Sequence, residues 1–96
     1  MLIGILQLEL RIGDALNLND KRKIVRSLKD KWHHHHNVSV AETDHLDRPQ
    51  HAFFGIAMVG TEAPKLESSL AKLVEHAKKE RYAELLDFQI EIISGR

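Results

Sequence analysis

Residues 2–12 alternate with a period of two, and that rhythm constrains the chain more than any other feature. Leu2, Leu6, Leu8, Leu10 and Ile12 fall on one face, and Gln7, Glu9 and Arg11 on the other. This is the pattern of a strand with one buried face. Ile3 and Ile5 make its first half apolar on both faces, as expected of a central strand. Residues 52–59 (Ala52 to Val59) are also apolar on both faces and end at Gly60, which predicts a second central strand. Two outer strands follow from weaker alternation. In residues 37–43, Val38, Val40 and Glu42 share a face. Near the C-terminus, Leu86, Phe88, Ile90 and Ile92 alternate with Asp87, Gln89 and Glu91.

Between these strands the period changes to that of a helix. Ile24, Val25, Leu28 and Trp32 recur at helical spacing through about residue 35. Asn19 is the expected N-cap and Asp20 complements the helix dipole beside it. A second stripe, Ala63, Leu66, Leu70, Leu73, Val74 and Ala77, has Thr61 as its expected N-cap and Pro64 in the first turn, where proline costs least. The element order is therefore β-α-β-β-α-β, an α+β chain forming one domain over residues 1–96. Right-handed crossovers give a four-stranded antiparallel sheet of order 4-1-3-2 with two helices on one face. That order puts the two strands that are apolar on both faces in the middle.

Composition excludes several classes of function. There is no cysteine, so neither a thiolate nucleophile nor a Cys-ligated metal is available. Residues 1–4 carry no basic region and no small-residue cleavage site, and the apolar run after them is broken by Gln7, Glu9 and Arg11. A signal peptide and a membrane span are not expected, and a cytoplasmic location is. Formal charge balances at 14 basic against 14 acidic residues, so no whole-molecule field attracts nucleic acid. Locally the balance fails: residues 19–32 carry Lys21, Arg22, Lys23, Arg26, Lys29 and Lys31 against Asp20 and Asp30, a net of +4.

Several segments together resemble the YlxP-like family of small uncharacterised bacterial proteins. They are the opening Gly4-Ile5-Leu6-Gln7-Leu8-Glu9-Leu10, then Leu18-Asn19-Asp20-Lys21-Arg22, and Asn37-Val38-Ser39-Val40-Ala41-Glu42 followed by Asp44-His45. Glu84-Leu85-Leu86-Asp87 completes the set. The chain departs from the family pattern at Asn17-Leu18-Asn19 and in its four consecutive histidines, His33 to His36. The resemblance implies a ferredoxin-like fold and a translation-linked gene neighbourhood. It implies no activity, cofactor or catalytic residue.

Two places in this plan can carry function. The first is the helical stripe Arg22, Arg26, Lys29 and His33, flanked by Lys21 and Lys23. Basic side chains at that spacing can follow a phosphate backbone, although they also suit an ordinary solvated helix face. The second is the edge where the first helix begins near the loop joining strands two and three. It gathers Lys21 and Arg22 with Glu42, Asp44, His45, Asp47 and His51. Carboxylates beside a histidine can hold a divalent metal or move protons, and they equally form salt bridges with Lys21, Arg22 or Arg48. His33 and His36, one helical turn apart, can chelate a metal adventitiously. Phe53 with Ile3, Ile5 and Val59 predicts an apolar patch on the open sheet face, suited to a homodimer or a protein partner. The edge strand, residues 37–43, is the other candidate for pairing. Glu9, Asp87, Gln89 and Glu91 line that same open face and repel phosphate. No glycine-rich phosphate loop, serine elbow or paired-histidine zinc motif occurs, and nothing in the residues asks for a cofactor or an enzyme.

The reading is an accessory protein without catalysis, binding RNA or a ribosomal particle through its first helix and the loop before it. A homodimeric interaction module is the alternative, and a small metal-dependent enzyme at Asp44, His45 and Asp47 comes third.

Overall fold

A computed structural model describes residues 1–13 and 15–95. Its elements follow the predicted order: β1 (Leu2–Arg11), α1 (Leu18–His35), β2 (Ser39–Asp44), β3 (His51–Gly60), α2 (Ala63–Lys78) and β4 (Glu84–Ser94). The strands form one antiparallel sheet in the order β2-β3-β1-β4, which is the expected 4-1-3-2 read from its other edge. Both central strands are those with apolar residues on both faces.

Alternation along β1 decides which side of the sheet is covered. Leu6, Leu8 and Leu10 are fully buried beneath the helices with Ala52, Phe54 and Ile56 of β3. Val25, Leu28 and Trp32 of α1 and Leu66, Leu70, Leu73, Val74 and Ala77 of α2 close the core from above. Each fully buried leucine of this kind contributes roughly 1.5–3 kcal/mol. Trp32 meets Phe54 edge-on, with ring centroids 5.2 Å apart. Gly4 continues the inward row, and a Cβ there would lie 2.8 Å from Leu70 Cδ1. The missing side chain lets α2 settle close to the sheet. No helix among the described residues is long and apolar enough to cross a membrane.

Both helix starts differ from expectation by a residue or two. Asn17, not Asn19, caps α1: its backbone is extended, and its Oδ1 accepts from the Asp20 amide at 2.9 Å. Asp20 in turn accepts from the Leu16 amide at 3.1 Å, so the first turn and the preceding loop hold each other. α2 is capped by Glu62 rather than Thr61, without a side-chain hydrogen bond, and Pro64 sits in its first turn.

The largest correction is in β4. A register shift opposite Glu9 and Leu10 pairs Leu10 with Leu85, where simple alternation would place Leu86 inside. Leu85 therefore packs against the core, and Leu86 is left 39% exposed on the other side. The extra residue of a bulge reverses the facing of everything beyond it. A second shift, between Glu42 and Asp44, lets β2 turn away from β3 into the loop that follows. Equilibrium urea unfolding distinguishes the two leucines: Leu85→Ala should cost about 2 kcal/mol, and Leu86→Ala should stay within about 0.5 kcal/mol. Equal losses would contradict the bulge.

Candidate functional site

The start of α1 and the end of β2 meet through a single buried cation. Lys21 lies one turn into the helix, on its inward face, and its side chain is 1% exposed. Its Nζ stands 2.7 Å from Glu42 Oε2 and also donates to the His45 carbonyl oxygen. Lys21 is thus removed from the exposed basic stripe in which its sequence neighbours predicted it. The edge grouping that joined Lys21 to Glu42 and His45 is found in the structure. An ammonium buried this deeply needs a carboxylate partner, because unpaired it would lose most of its hydration with nothing in return.

His45 is the one described non-glycine residue with a positive φ, at 57°. Three contacts hold this turn. The Asp44 carboxylate accepts from the His45 amide at 2.8 Å, the His45 carbonyl accepts from the Arg48 amide at 3.0 Å, and Lys21 reaches the same carbonyl. The turn wraps the sheet edge, so the His45 ring lies on the open face, 4.9 Å from Phe53 and 4.6 Å from His51 between centroids. His51 Nε2 donates to Glu9 Oε2 at 2.6 Å. A carboxylate can only accept there, which places a proton on that nitrogen. Glu9 stands directly opposite Asp87 across β1 and β4, so the histidine offsets one of two facing carboxylates.

The predicted loop site is therefore divided. Glu42 is inside with Lys21, and His45 and His51 are stacked on the open face with Phe53. Asp44 and Asp47 are exposed to solvent at the turn. Glu9 joins His51 through strand register, which period-two alternation does not reveal. Among the described residues no three histidine or carboxylate side chains converge to hold a metal. Beyond His51, an open groove of about 610 Å³ runs past Arg11, Arg48, Gln50 and Leu86. Arg11 shares it with only a loose, exposed ion pair to Glu84 at 3.4 Å.

The outward face of α1 is different in character. Arg22, Lys23 and Arg26 are exposed and Lys29 is half-buried, and none of the four has an ion-pair partner among the described residues. Lys31, two residues on, is engaged with Glu80, just past the end of α2, at 3.0 Å. At the C-terminal end, His33 and His36 each have a partner other than one another. His33 Nδ1 donates to the Val38 carbonyl at 2.8 Å, and His36 Nε2 lies 3.1 Å from Nδ1 of His76 on α2. Burial, then the neighbouring His76, His35 and Lys72, hold the His36 imidazole below the ordinary histidine range.

The apolar patch also splits. Ile3 pairs with Val59 and with Ile93, and Ile5 with Ala57, forming an apolar half of the open face on which Val59 is 64% exposed. Phe53 lies several rungs away, packed against His45 and His51 instead.

The buried pair gives a direct prediction. Lys21→Met should cost about 3 kcal/mol or more in urea unfolding, because Glu42 is left as an unpaired carboxylate. The double variant Lys21→Met, Glu42→Leu should recover most of that loss. A single variant as stable as wild type would show that Lys21 does not hold this edge.

Residues 3–90 match the family model described as a protein of unknown function, DUF503, and the chain belongs to that family. The "Uncharacterized protein YlxP" of Bacillus subtilis (strain 168) is 30% identical over 73 residues, covering 76% of this chain and 79% of that protein. The resemblance read from the opening, helix-start and β2 segments is thereby borne out.

Proposed function

We propose that this member of the family acts as an accessory protein that binds RNA or a ribosomal particle through the outer face of α1 and the loop before it, with no chemistry of its own. The observation that carries this reading is the exposed set Arg22, Lys23 and Arg26 with the half-buried Lys29, unpaired among the described residues on a helix whose other face is committed to the core. Burying Lys21 concentrates the free charge on one side. Each phosphate that a side chain neutralises releases a counterion, so four contacts give a slope of about −3 in log affinity against log salt for single strands. Glu9, Asp87 and Glu91 lie on the opposite face of the sheet from both helices, which orients a polyanion toward α1. The translation-linked setting implied by the family resemblance points to the same class of partner.

Co-sedimentation with ribosomes and separated subunits at low and moderate salt tests this directly. The expected result is binding that weakens with salt and is lost in Arg22→Glu, Arg26→Glu, Lys29→Glu, while thermal unfolding stays near wild type. A triple variant that binds as well as wild type ends the proposal.

The exposed half-face of Ile3, Ile5, Ala57, Val59 and Ile93 favours a second reading, a homodimer formed across the open sheet. It predicts a dimer in sedimentation analysis that Val59→Glu dissociates and that Phe53→Glu affects less. A monomer at high protein concentration would exclude it.

A further inference from the structure

The groove beyond His51 is assembled from parts of the chain that only folding brings together. β1 supplies Arg11, the segment before α1 supplies Ala15 and Leu16, and the loop between β2 and β3 supplies Arg48, Pro49 and Gln50. Arg11 pairs with His51 across β1 and β3 and follows Glu9 and Gln7 on the face that no helix covers. The β4 bulge turns Leu86 to the same face, where it lines the groove beside Arg11. Bulges are common next to functional sites, where they re-aim a side chain.

Charge in this groove is one-sided. Arg11, Arg48 and His51 line it, with no acidic side chain among the described residues. His51 is committed to Glu9 at 2.6 Å, so the two guanidinium groups carry the positive charge. Arg48 is exposed and has no ion-pair partner among the described residues. Arg11 has only its long contact with Glu84, an exposed pair of the kind that contributes little and that an anion can displace. Guanidinium presents paired N–H donors that match the oxygens of a phosphate or carboxylate.

The remaining lining is apolar, with one anchored amide. Leu16, 85% exposed, and Leu86, 39% exposed, line the groove with Pro49, a surface that a flat ring can cover. Gln50 is held at two points. Its backbone carbonyl accepts from the Ile12 amide at 2.9 Å, and its Nε2 donates to the Ala15 carbonyl at 3.2 Å. The second bond fixes which end of the amide is oxygen and leaves Oε1 to accept from a ligand. A bare anion would occupy a small part of about 610 Å³ and leave the leucines wet. The volume suits an organic ligand, since small-molecule sites run to roughly 300–1,000 Å³.

We propose that this groove binds a nucleoside phosphate, with the phosphate on Arg11 and Arg48 and the base against Leu16, Leu86 and Pro49, in reach of Gln50 Oε1. A free nucleotide and a phosphorylated end of single-stranded RNA share that chemistry. The groove borders the loop before α1 but needs none of the helix stripe Arg22, Arg26 and Lys29, so it stands apart from the RNA surface proposed above.

An amide chemical-shift titration with adenosine monophosphate tests the site, because the adenine amino group can donate to Gln50 Oε1. Adenosine and inorganic phosphate are the controls. Shifts should concentrate on Ala15, Leu16, Arg48, Gln50 and His51 at millimolar nucleotide or below, and both controls should bind more weakly. Arg48→Ala should weaken the nucleotide about tenfold, as expected for one hydrogen bond to a charged group. Leu16→Glu should weaken it as well, and both variants should unfold thermally as wild type does. Arg22→Glu, Arg26→Glu, Lys29→Glu should bind the nucleotide like wild type, whatever it does to ribosome binding. On that triple variant, a short RNA with a terminal phosphate binding more tightly than the nucleotide identifies an RNA end as the source. The reverse order identifies the free nucleotide, and either order supports the site. The inference is overturned if the groove amides do not shift, or if phosphate alone binds as tightly as the nucleotide. It is equally overturned if Arg48→Ala leaves the affinity unchanged, or if the triple variant loses the nucleotide.

Discussion

A buried ammonium facing a half-buried carboxylate organises one end of this molecule. Lys21 joins the first turn of α1 to β2 through Glu42, and to the following turn through the His45 carbonyl. Hydrophobic packing alone would let the edge strand and the helix start slide relative to each other, because apolar contacts are not directional. The ion pair with its added hydrogen bond fixes that relation. It also sets the rotation of α1 about its axis. With Lys21, Val25, Leu28 and Trp32 pointing inward, Arg22, Lys23 and Arg26 must point outward. The basic surface is thus a geometric consequence of which lysine is buried.

This rotation separates charge across the domain thickness. Free cations gather on the outer side of α1, and carboxylates on the strand face that no helix covers. A neutral chain acquires two surfaces of opposite sign, and a polyanion meets an attractive and a repulsive side. The acidic face is not uniform. Its β1–β3 end is closed by His51 on Glu9 and by the His45–His51–Phe53 stack, and its other end is aliphatic around Val59. The dimer reading uses the aliphatic end of this face, and the RNA reading uses the outer side of α1 instead.

The element order and strand order were legible because period-two alternation with apolar residues on both faces marks a central strand, and β1 and β3 both carry it. The misplaced details have specific causes. Asn17 and Asn19 are equally good caps by residue type, and the choice between them depends on Lys21 facing the core. Leu85 and Leu86 are identical side chains, and only a bulge decides which faces inward. Lys21 stands in a basic run, where nothing local marks one lysine as buried; its partner Glu42 is twenty-one residues away. The Glu9–His51 and His36–His76 contacts depend on register and on helix docking, which alternation does not encode.

The most direct test of the central claim is an amide chemical-shift titration of the labelled protein with a short single-stranded RNA. If α1 is the binding surface, shifts will concentrate on the amides of Arg22, Lys23, Arg26 and Lys29 and fade as salt is raised, while those of Ile3, Ile5, Ala57 and Val59 stay in place. Shifts confined to the open sheet face, or none at any RNA concentration at low salt, would contradict the assignment of the basic helix as the binding surface.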